Sequence, residues 1–133
     1  MTSNPLRYAL VAAILGAAGY GLYQSFRPQH DLDPSPLIAK LASCGIVLET
    51  PTIVLSDRVD GHGGAVVRGW QVRVAQSAYE ADRRFVEEEL LPHELAHLAH
   101  YAVYGTTSPD HPPRFKALED FLRGVTTDCP EAR

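Results

Sequence analysis

The residues that could do chemistry are concentrated in one short segment, His93-Glu94-Leu95-Ala96-His97. On a helix, two residues four positions apart are separated by about 40° around the axis and about 6 Å along it. The imidazoles of His93 and His97 could therefore converge on one tetrahedral zinc ion, at the typical distance of about 2.0–2.1 Å. Glu94 would lie beside the metal, where a carboxylate can deprotonate a bound water. The competing interpretation is that both histidines lie in the core and Glu94 on the surface.

A catalytic zinc needs a third protein ligand and one open position. His100 lies on the same predicted helix face but about 10.5 Å along the axis from His93, too far to share one metal ion. We expect His100 to line the pocket or to orient a ligand. Glu119 or Asp120 could bind the metal from a later helix, and His111 could do so from a returning loop. The spacing leaves these three candidates open.

The elements that must position these residues can be predicted from periodicity. Apolar residues and histidines repeat with helical spacing from about Glu80 to Tyr104, which predicts a buried central helix. Pro92 should kink or restart this helix just before His93, because proline lacks a backbone donor. A last helix is predicted over 113–123. Its inward-facing residues are predicted to be Phe115, Leu118, Phe121 and Leu122.

The segment before the central helix predicts one more helix and a short sheet. Ser35 could cap a helix that ends at Gly45. Strands are predicted over 52–55, 65–70 and 71–75, the last from its alternation of apolar and polar residues. The edge of the strand over 71–75 could bind an extended substrate.

Composition and charge divide the chain into two parts. It has 133 residues, a net charge of −4, 45% hydrophobic and 21% charged residues, which excludes a disordered chain. Residues 1–27 contain two arginines and no acidic residue, whereas residues 28–133 carry 10 basic and 16 acidic side chains. A domain this acidic is not expected to bind nucleic acid.

The N-terminal part, residues 1–27, is predicted to be a transmembrane anchor or a signal segment. The uncharged stretch Tyr8–Tyr23 would span about 24 Å as a helix, and extension to Phe26 gives about 28 Å, enough for a thin bilayer. A cleaved signal peptide and a buried core helix are the alternatives. Residues 28–36 are predicted to be a linker and 37–133 the folded domain. We therefore expect a single-pass membrane-anchored or exported protein, with a cytoplasm-facing domain left open.

Four other side chains have predicted roles. Cys44 and Cys129 could form a disulfide in an oxidising compartment, or could be two unrelated thiols. Tyr101 and Tyr104 are expected to pack in the core, with hydrogen-bond donation into the pocket as the alternative.

A longer segment carries a family resemblance. From Phe85, the sequence FVEEELLPHELAHLAHYAVYGTTSPDHPPRFKALEDFL resembles the SprT-like (Spartan-type) zinc metallopeptidase domain family. The family's pattern is a helix with H-E-x-x-H, a short loop, a histidine followed shortly by an aromatic residue, and a final helix. Here that histidine is His111 and the aromatic residue is Phe115. The preceding GAVVRGWQVRVAQSAY resembles the family's β-hairpin, so the resemblance covers roughly 37–123.

The resemblance implies both a fold class and a site. The fold class would be α+β: a small zincin-like domain with an N-terminal helix, a short antiparallel sheet, a central zinc-binding helix and a C-terminal helix, preceded by the anchor. His93, His97 and His111 would bind Zn²⁺, and Glu94 would be the general base. The implied reaction is hydrolysis of peptide bonds in a protein or peptide substrate.

The chain departs from the family in two respects. His111 is followed by Pro112 and Pro113 where members often have glycine, which alters the backbone at the third ligand. The four cysteines of a zinc ribbon are absent from these residues and the domain is acidic, so the DNA–protein-crosslink role of some relatives is not expected. Two other functions are open: a catalytically idle, membrane-tethered zinc-binding adaptor, and an amide hydrolase acting on cell-wall peptide.

Overall fold

Helices pack against a three-stranded sheet in residues 30–131, the part of the chain that the computed structural model describes. This mixture confirms the predicted α+β class. In chain order the elements are α1 Ser35–Ser43, β1 Thr52–Ser56, β2 Gly63–Val66, β3 Gln71–Ala75, α2 Gln76–Ala81, α3 Arg83–Phe85, a π-helical turn Val86–Leu90, α4 Leu91–Tyr104 and α5 Pro113–Leu122.

The predicted anchor or signal segment in residues 1–27 lies outside the described residues and stays a prediction. Within 30–131, no helix is long and apolar enough to cross a bilayer. Leu32, inside the predicted linker 28–36, is buried and belongs to the hydrophobic core. The folded core therefore extends further towards the N-terminus than the predicted start at residue 37.

The sheet is mixed, which corrects the predicted antiparallel sheet. The strand order is β1-β3-β2, with β2 antiparallel and β1 parallel to β3. Strand β3 takes the centre because Val72 and Val74 alternate into the core and are completely buried. Strand β2 begins with Gly63 and Gly64, which offer no side chains to pack into the core, and it lies at the edge of the sheet. The alternation thus predicted β3 itself, but not which strands pair with it or in which direction.

Two predictions about the segment over 65–75 are wrong, for different reasons. The strand predicted over 65–70 ends at Val66, because the backbone then turns: Trp70 N–H bonds the Val67 carbonyl at 3.1 Å. Gly69 and Trp70 both have positive φ, of 89° and 50°, which strands do not accommodate. Since β3 is paired on both sides, its edge cannot bind an extended substrate.

The predicted helix from Glu80 is interrupted before it reaches the chemical motif. Helix α2 ends at Ala81, and Asp82 caps α3 by accepting a hydrogen bond from Phe85 N–H at 3.0 Å. The π-helical turn follows, and α4 then starts with Pro92 as its second residue. Because Pro92 has no backbone donor, the regular helical ladder restarts there. The predicted restart just before the first histidine is confirmed.

Helix α5 closes the domain. All four residues predicted to face inward are buried, and Gly124 follows the helix with a φ of 76°. Cys44, after α1, forms a disulfide with Cys129, 85 residues later, as one of the two alternatives predicted. Lys40 Nζ, in α1, also donates to the Phe121 carbonyl in α5. The region of α1 is therefore joined to the C-terminal region of the domain by both a disulfide and a hydrogen bond. Disulfides persist in oxidising compartments, which favours such an environment for this domain.

Candidate metal centre

Three histidines come together although they are distant in sequence. Each of His93, His97 and His111 offers a ring nitrogen, and these atoms lie within 4.8 Å of one another. The Nε2 atoms of His97 and His111 are 3.2 Å apart. Two ligands about 2.0–2.1 Å from a tetrahedral zinc would be about 3.3–3.4 Å apart, so this spacing fits a shared ion. The group could therefore hold a metal ion.

Helix α4 positions the first two histidines. His93 and His97 are four residues apart and their ring centroids are 5.0 Å apart, as helical geometry predicts. The other face of α4 is fixed in the core by Leu95 and Leu98, both completely buried. The helix is therefore a rigid support for these two imidazoles.

His111 arrives on the loop that follows α4. Gly105 ends the helix in the left-handed conformation, with a φ of 71°, and the chain turns back. His111 N–H bonds the Ser108 carbonyl at 3.1 Å, and His111 itself has a φ of 48°. Its ring packs on Phe115, with centroids 4.7 Å apart. The left-handed backbone lies where the chain has His111-Pro112 in place of the family's histidine-glycine.

Two side chains orient the helical histidines from outside the group. The Nδ1–H of His93 donates to Glu119 Oε2, and Nδ1 of His97 lies 2.9 Å from Ser108 Oγ. Because Nδ1 of His93 donates to a carboxylate, its Nε2 carries the lone pair that a metal needs, and the Ser108 hydroxyl can accept from His97 Nδ1 with the same result. Glu119, a sequence candidate for the third ligand, is thus placed behind His93. Asp120, the other acidic candidate, pairs with Lys116 Nζ at 2.8 Å.

The sequence gives no sign of the contact made by Ser108. A serine in a polar loop has no diagnostic spacing, and Ser108 is recognisable only by its position beside His97 and its burial, with 3% of its surface exposed. The sequence did single out Glu119 as a candidate. Its distance along the chain could not show whether it would bind the metal itself or bond a histidine that does.

Glu94 lies in a cavity of about 400 Å³ with His93 and His97. Its side chain is buried, with 5% of its surface exposed, so the alternative that places it on the surface is wrong. Burial raises its pKa, against the lowering effects of the His93 charge and the Ala65 backbone hydrogen bond. A carboxyl with a raised pKa suits a general base. The rest of the wall comes from β2, the residue after it and the loop that follows α4: Gly63, Gly64, Ala65, Val67, Thr107, Ser108 and Pro109.

The charge states suit a metal site. Burial, followed by the charges of His93 and His111, lowers the pKa of His97 to about 4. His97 is therefore neutral at pH 7, as a metal-binding imidazole must be. Burial acts to raise the pKa of Glu119, but the hydrogen bonds from His93 and Lys116 outweigh it and lower the pKa. Glu119 is therefore a carboxylate able to accept from His93.

Three candidates for pocket residues lie elsewhere. His100 is completely buried and does not line the cavity; its ring contacts Thr106 and Arg114, on either side of the loop. The hydroxyl of Tyr104 donates to the Glu131 carbonyl at 2.7 Å. Tyr101 has 37% of its surface exposed and does not line the cavity either. The expected role of His100 in lining the pocket is therefore wrong.

The fold and the site together define a small α+β domain with three histidines that could hold a metal ion. Protein SprT of Pectobacterium carotovorum subsp. carotovorum (strain PC1) is 31% identical over 88 residues, which cover 63% of this chain and 52% of that protein. Protein SprT of Vibrio parahaemolyticus is 28% identical over 78 residues, covering 59% and 47%. These matches confirm the resemblance to the SprT-like family.

The resemblance is partial. The chain spans about half the length of the curated relatives it matches; for Protein SprT of Pectobacterium atrosepticum the matched share is 44%, at 30% identity. No protein-family model matches the chain. No solved structure matches it either.

Proposed function

We propose that this chain is a zinc-dependent metallopeptidase. The observation that carries the proposal is the buried Glu94, which lines one cavity with two members of the three-histidine group. A buried carboxyl next to a group of imidazoles, of which His97 is neutral at pH 7, is an arrangement that a water-activating metal site needs. The resemblance to SprT proteins supports the same conclusion.

The donor set fits zinc. His93, His97 and His111 would hold the ion through three imidazole nitrogens, the ligand number typical of catalytic rather than structural zinc sites. Zinc bound there would supply Lewis acidity, polarising the scissile carbonyl and lowering the pKa of a water to about 7. Glu119 and Ser108 would keep the two helical imidazoles in the orientation that binding requires.

Glu94 is the residue that moves protons in this proposal. Its carboxylate accepts a proton from the attacking water and later delivers that proton to the nitrogen of the leaving amine. The same residue therefore acts first as a base and then as an acid. Its burial excludes bulk water from the carboxyl and favours transfer to the reacting atoms.

The substrate in this proposal is an extended protein or peptide segment. Strand β2 is the strand that contributes to the cavity wall, and β3 occupies only one of its two edges. An extended peptide could pair with the other edge of β2 beside the histidines. The disulfide supports a domain that works in an oxidising compartment, in agreement with export or membrane tethering of the chain.

The test is the substitution Glu94→Gln in the full chain, assayed on a broad pool of unstructured peptides. The amide keeps the size of the side chain and cannot accept the proton, so cleavage should fall by about 10²–10⁴-fold. Bound zinc, measured by elemental analysis, should stay at one per chain. Glu88→Gln is the matched control, because Glu88 is an exposed carboxylate paired with Arg84; it should cleave like the wild type.

Three results would reject the proposal. The wild type could bind no zinc, or Glu94→Gln could cleave as fast as the wild type. The wild type could also bind zinc and cleave no peptide, which would favour the idle zinc-binding adaptor. Cleavage of cell-wall fragments in place of the peptide pool would redirect the function to another class of amide.

A further inference from the structure

His100 is a buried polar side chain that the proposed chemistry does not use. It is completely buried, yet both ring nitrogens have partners: Nδ1 lies 2.9 Å from the Thr106 carbonyl, and Nε2 lies 2.9 Å from Arg114 Nε. A carbonyl only accepts and a guanidinium only donates. The ring therefore donates from Nδ1 and accepts at Nε2, which defines a single neutral tautomer.

The two partners lie at opposite ends of one loop. Thr106 follows the last residues of α4, and Arg114 is in the first turn of α5, so the ring of His100 joins the beginning and the end of the Gly105–Pro112 loop. The guanidinium of Arg114 also lies over the ring of Tyr104, 4.3 Å from its centroid. We call the contacts among His100, Thr106 and Arg114 the loop clamp.

The clamped loop carries the parts of the metal centre that α4 does not supply. Ser108 bonds His97 Nδ1, and His111 completes the histidine group. His111 is exposed and has a φ of 48°, a conformation that costs free energy in a residue with a side chain. Such a conformation persists only where the surrounding structure enforces it.

We propose that His100 is a positioning residue for the metal centre, which acts through the loop clamp to hold His111 and Ser108 against His97. The proposal rests on the metal centre proposed above. His100 itself touches neither metal nor substrate. Its contribution is to keep the loop in the one conformation in which the third imidazole meets the other two.

Three substitutions separate the parts of the clamp. His100→Phe fills the same space and supplies neither hydrogen bond. His100→Asn places an amide donor near the position of Nδ1, and His100→Gln places an amide oxygen near the position of Nε2, so each can keep one bond. Zinc affinity is measured by chelator competition, and the visible absorption of the cobalt(II)-loaded protein reports the number of ligands.

The expected result is graded. His100→Phe should weaken zinc binding by about 10–100-fold, the range found for outer partners of metal ligands. Its cobalt spectrum should move towards that of His111→Ala, with weaker absorption from a higher-coordinate ion. The Asn and Gln variants should fall between His100→Phe and the wild type. A residue that only stabilises the fold would lower the unfolding temperature and leave the spectrum of the folded protein unchanged.

A double-mutant cycle identifies the route of the effect. Because the clamp acts chiefly through His111, His100→Phe should cost at least several-fold less affinity in a His111→Ala background. Arg114→Met breaks the clamp from the exposed side if His100→Phe fails to fold, and Arg84→Met is its matched control, since it removes an arginine that is paired on another helix. Arg114→Met should weaken zinc binding and Arg84→Met should not.

Two outcomes would overturn the role of His100 while leaving the metal centre intact. In the first, the wild type, His100→Phe and Arg114→Met bind zinc equally well. In the second, His100→Phe lowers zinc affinity by the same factor with and without His111. A wild type that binds neither zinc nor cobalt would instead reject the metal centre itself.

Discussion

Helix α4 and the Gly105–Pro112 loop both supply the candidate metal centre, but different forces hold them. On α4, His93 and His97 are related by one helical turn, and the helix is fixed by completely buried leucines on its other face. On the loop, His111 has a left-handed backbone and an exposed side chain. Its position depends on contacts with α4, with α5 and within the loop.

The difference indicates which part of the site is rigid and which part depends on a few individual contacts. Removing one contact from α4 leaves the helix packed in the core and its two imidazoles in place. Removing one contact from the loop leaves a strained segment with fewer contacts to hold it. We therefore expect substitutions around the loop, and of partners of the imidazoles, to act mainly on metal affinity, and substitutions in the core packing of α4 to act mainly on folding.

The largest expected effect comes from removing His111, the ligand that we propose on the loop. His111→Ala should weaken zinc binding by more than the roughly 100-fold that marks the upper end for outer partners. Glu119→Ala removes only the acceptor of the His93 Nδ1–H and should cost about 10–100-fold. Chelator competition with the purified chain measures both variants.

Asp120→Ala is the control for that pair of variants. Asp120 is the neighbouring carboxylate and pairs with Lys116, so its removal should leave zinc affinity close to that of the wild type. If Glu119 binds the metal directly and His111 does not, the order of the two effects will be reversed. That result would contradict the division of roles between the loop and α5.

A smaller effect should come from disturbing the support of α4. A Cβ added at Gly63 would lie 2.6 Å from the Arg73 carbonyl oxygen and 3.3 Å from Leu90 Cδ2, just before α4 begins. The backbone oxygen cannot move aside without separating β2 from β3. Gly63→Ala should therefore lower the free energy of unfolding by about 1–3 kcal/mol, the usual cost of overpacking. Thermal unfolding should show a decrease in Tm of about 4–8 °C per kcal/mol.

Gly64→Ala provides a matched control on the same strand and in the same cavity wall. A Cβ at Gly64 would meet no atom within 4 Å, so its Tm should stay close to that of the wild type. Equal Tm values for the two variants would mean that the close packing of β2 does not support the helix.

The contrast between helix and loop also explains what could be predicted from sequence. Helical spacing is local, so the pattern alone predicted α4, the restart at Pro92 and the pair of histidines. The third histidine was one of several candidates until the family resemblance favoured His111, because no local rule states where a loop returns. The contacts of His100 and Ser108 depend on the conformation of that loop and could not be predicted.

The sheet illustrates the same limit at a larger scale. The alternation in 71–75 predicted β3 with the bounds that the structure has. It could not predict that β3 lies between β1 and β2. Strand order depends on which strands pair with each other over long distances in the chain, and the pattern within one strand does not contain that information. The strand edge predicted to bind an extended substrate is therefore not a free edge.

The last prediction is a pH dependence of stability that arises at His97, a half-buried residue of α4. In the metal-free protein, burial and the charges of His93 and His111 lower the pKa of His97 from 6.5 to about 4. Between these values the unfolded chain binds a proton at His97 that the folded chain does not. Stability should therefore rise with pH through this window, by at most about 1.4 kcal/mol per pH unit, and the contribution should be complete above the unfolded pKa.

Urea unfolding of the chelator-treated wild type and His97→Asn, from about pH 4 to pH 7, isolates this contribution. Glu94, whose pKa is raised by burial, shifts stability in the opposite direction in both proteins and so cancels to a first approximation in the difference. The wild type should gain stability with rising pH more steeply than His97→Asn. Parallel curves would mean that His97 is as well solvated in the folded chain as in the unfolded chain. The contrast between a buried helix and an exposed loop would then not extend to the candidate metal ligands.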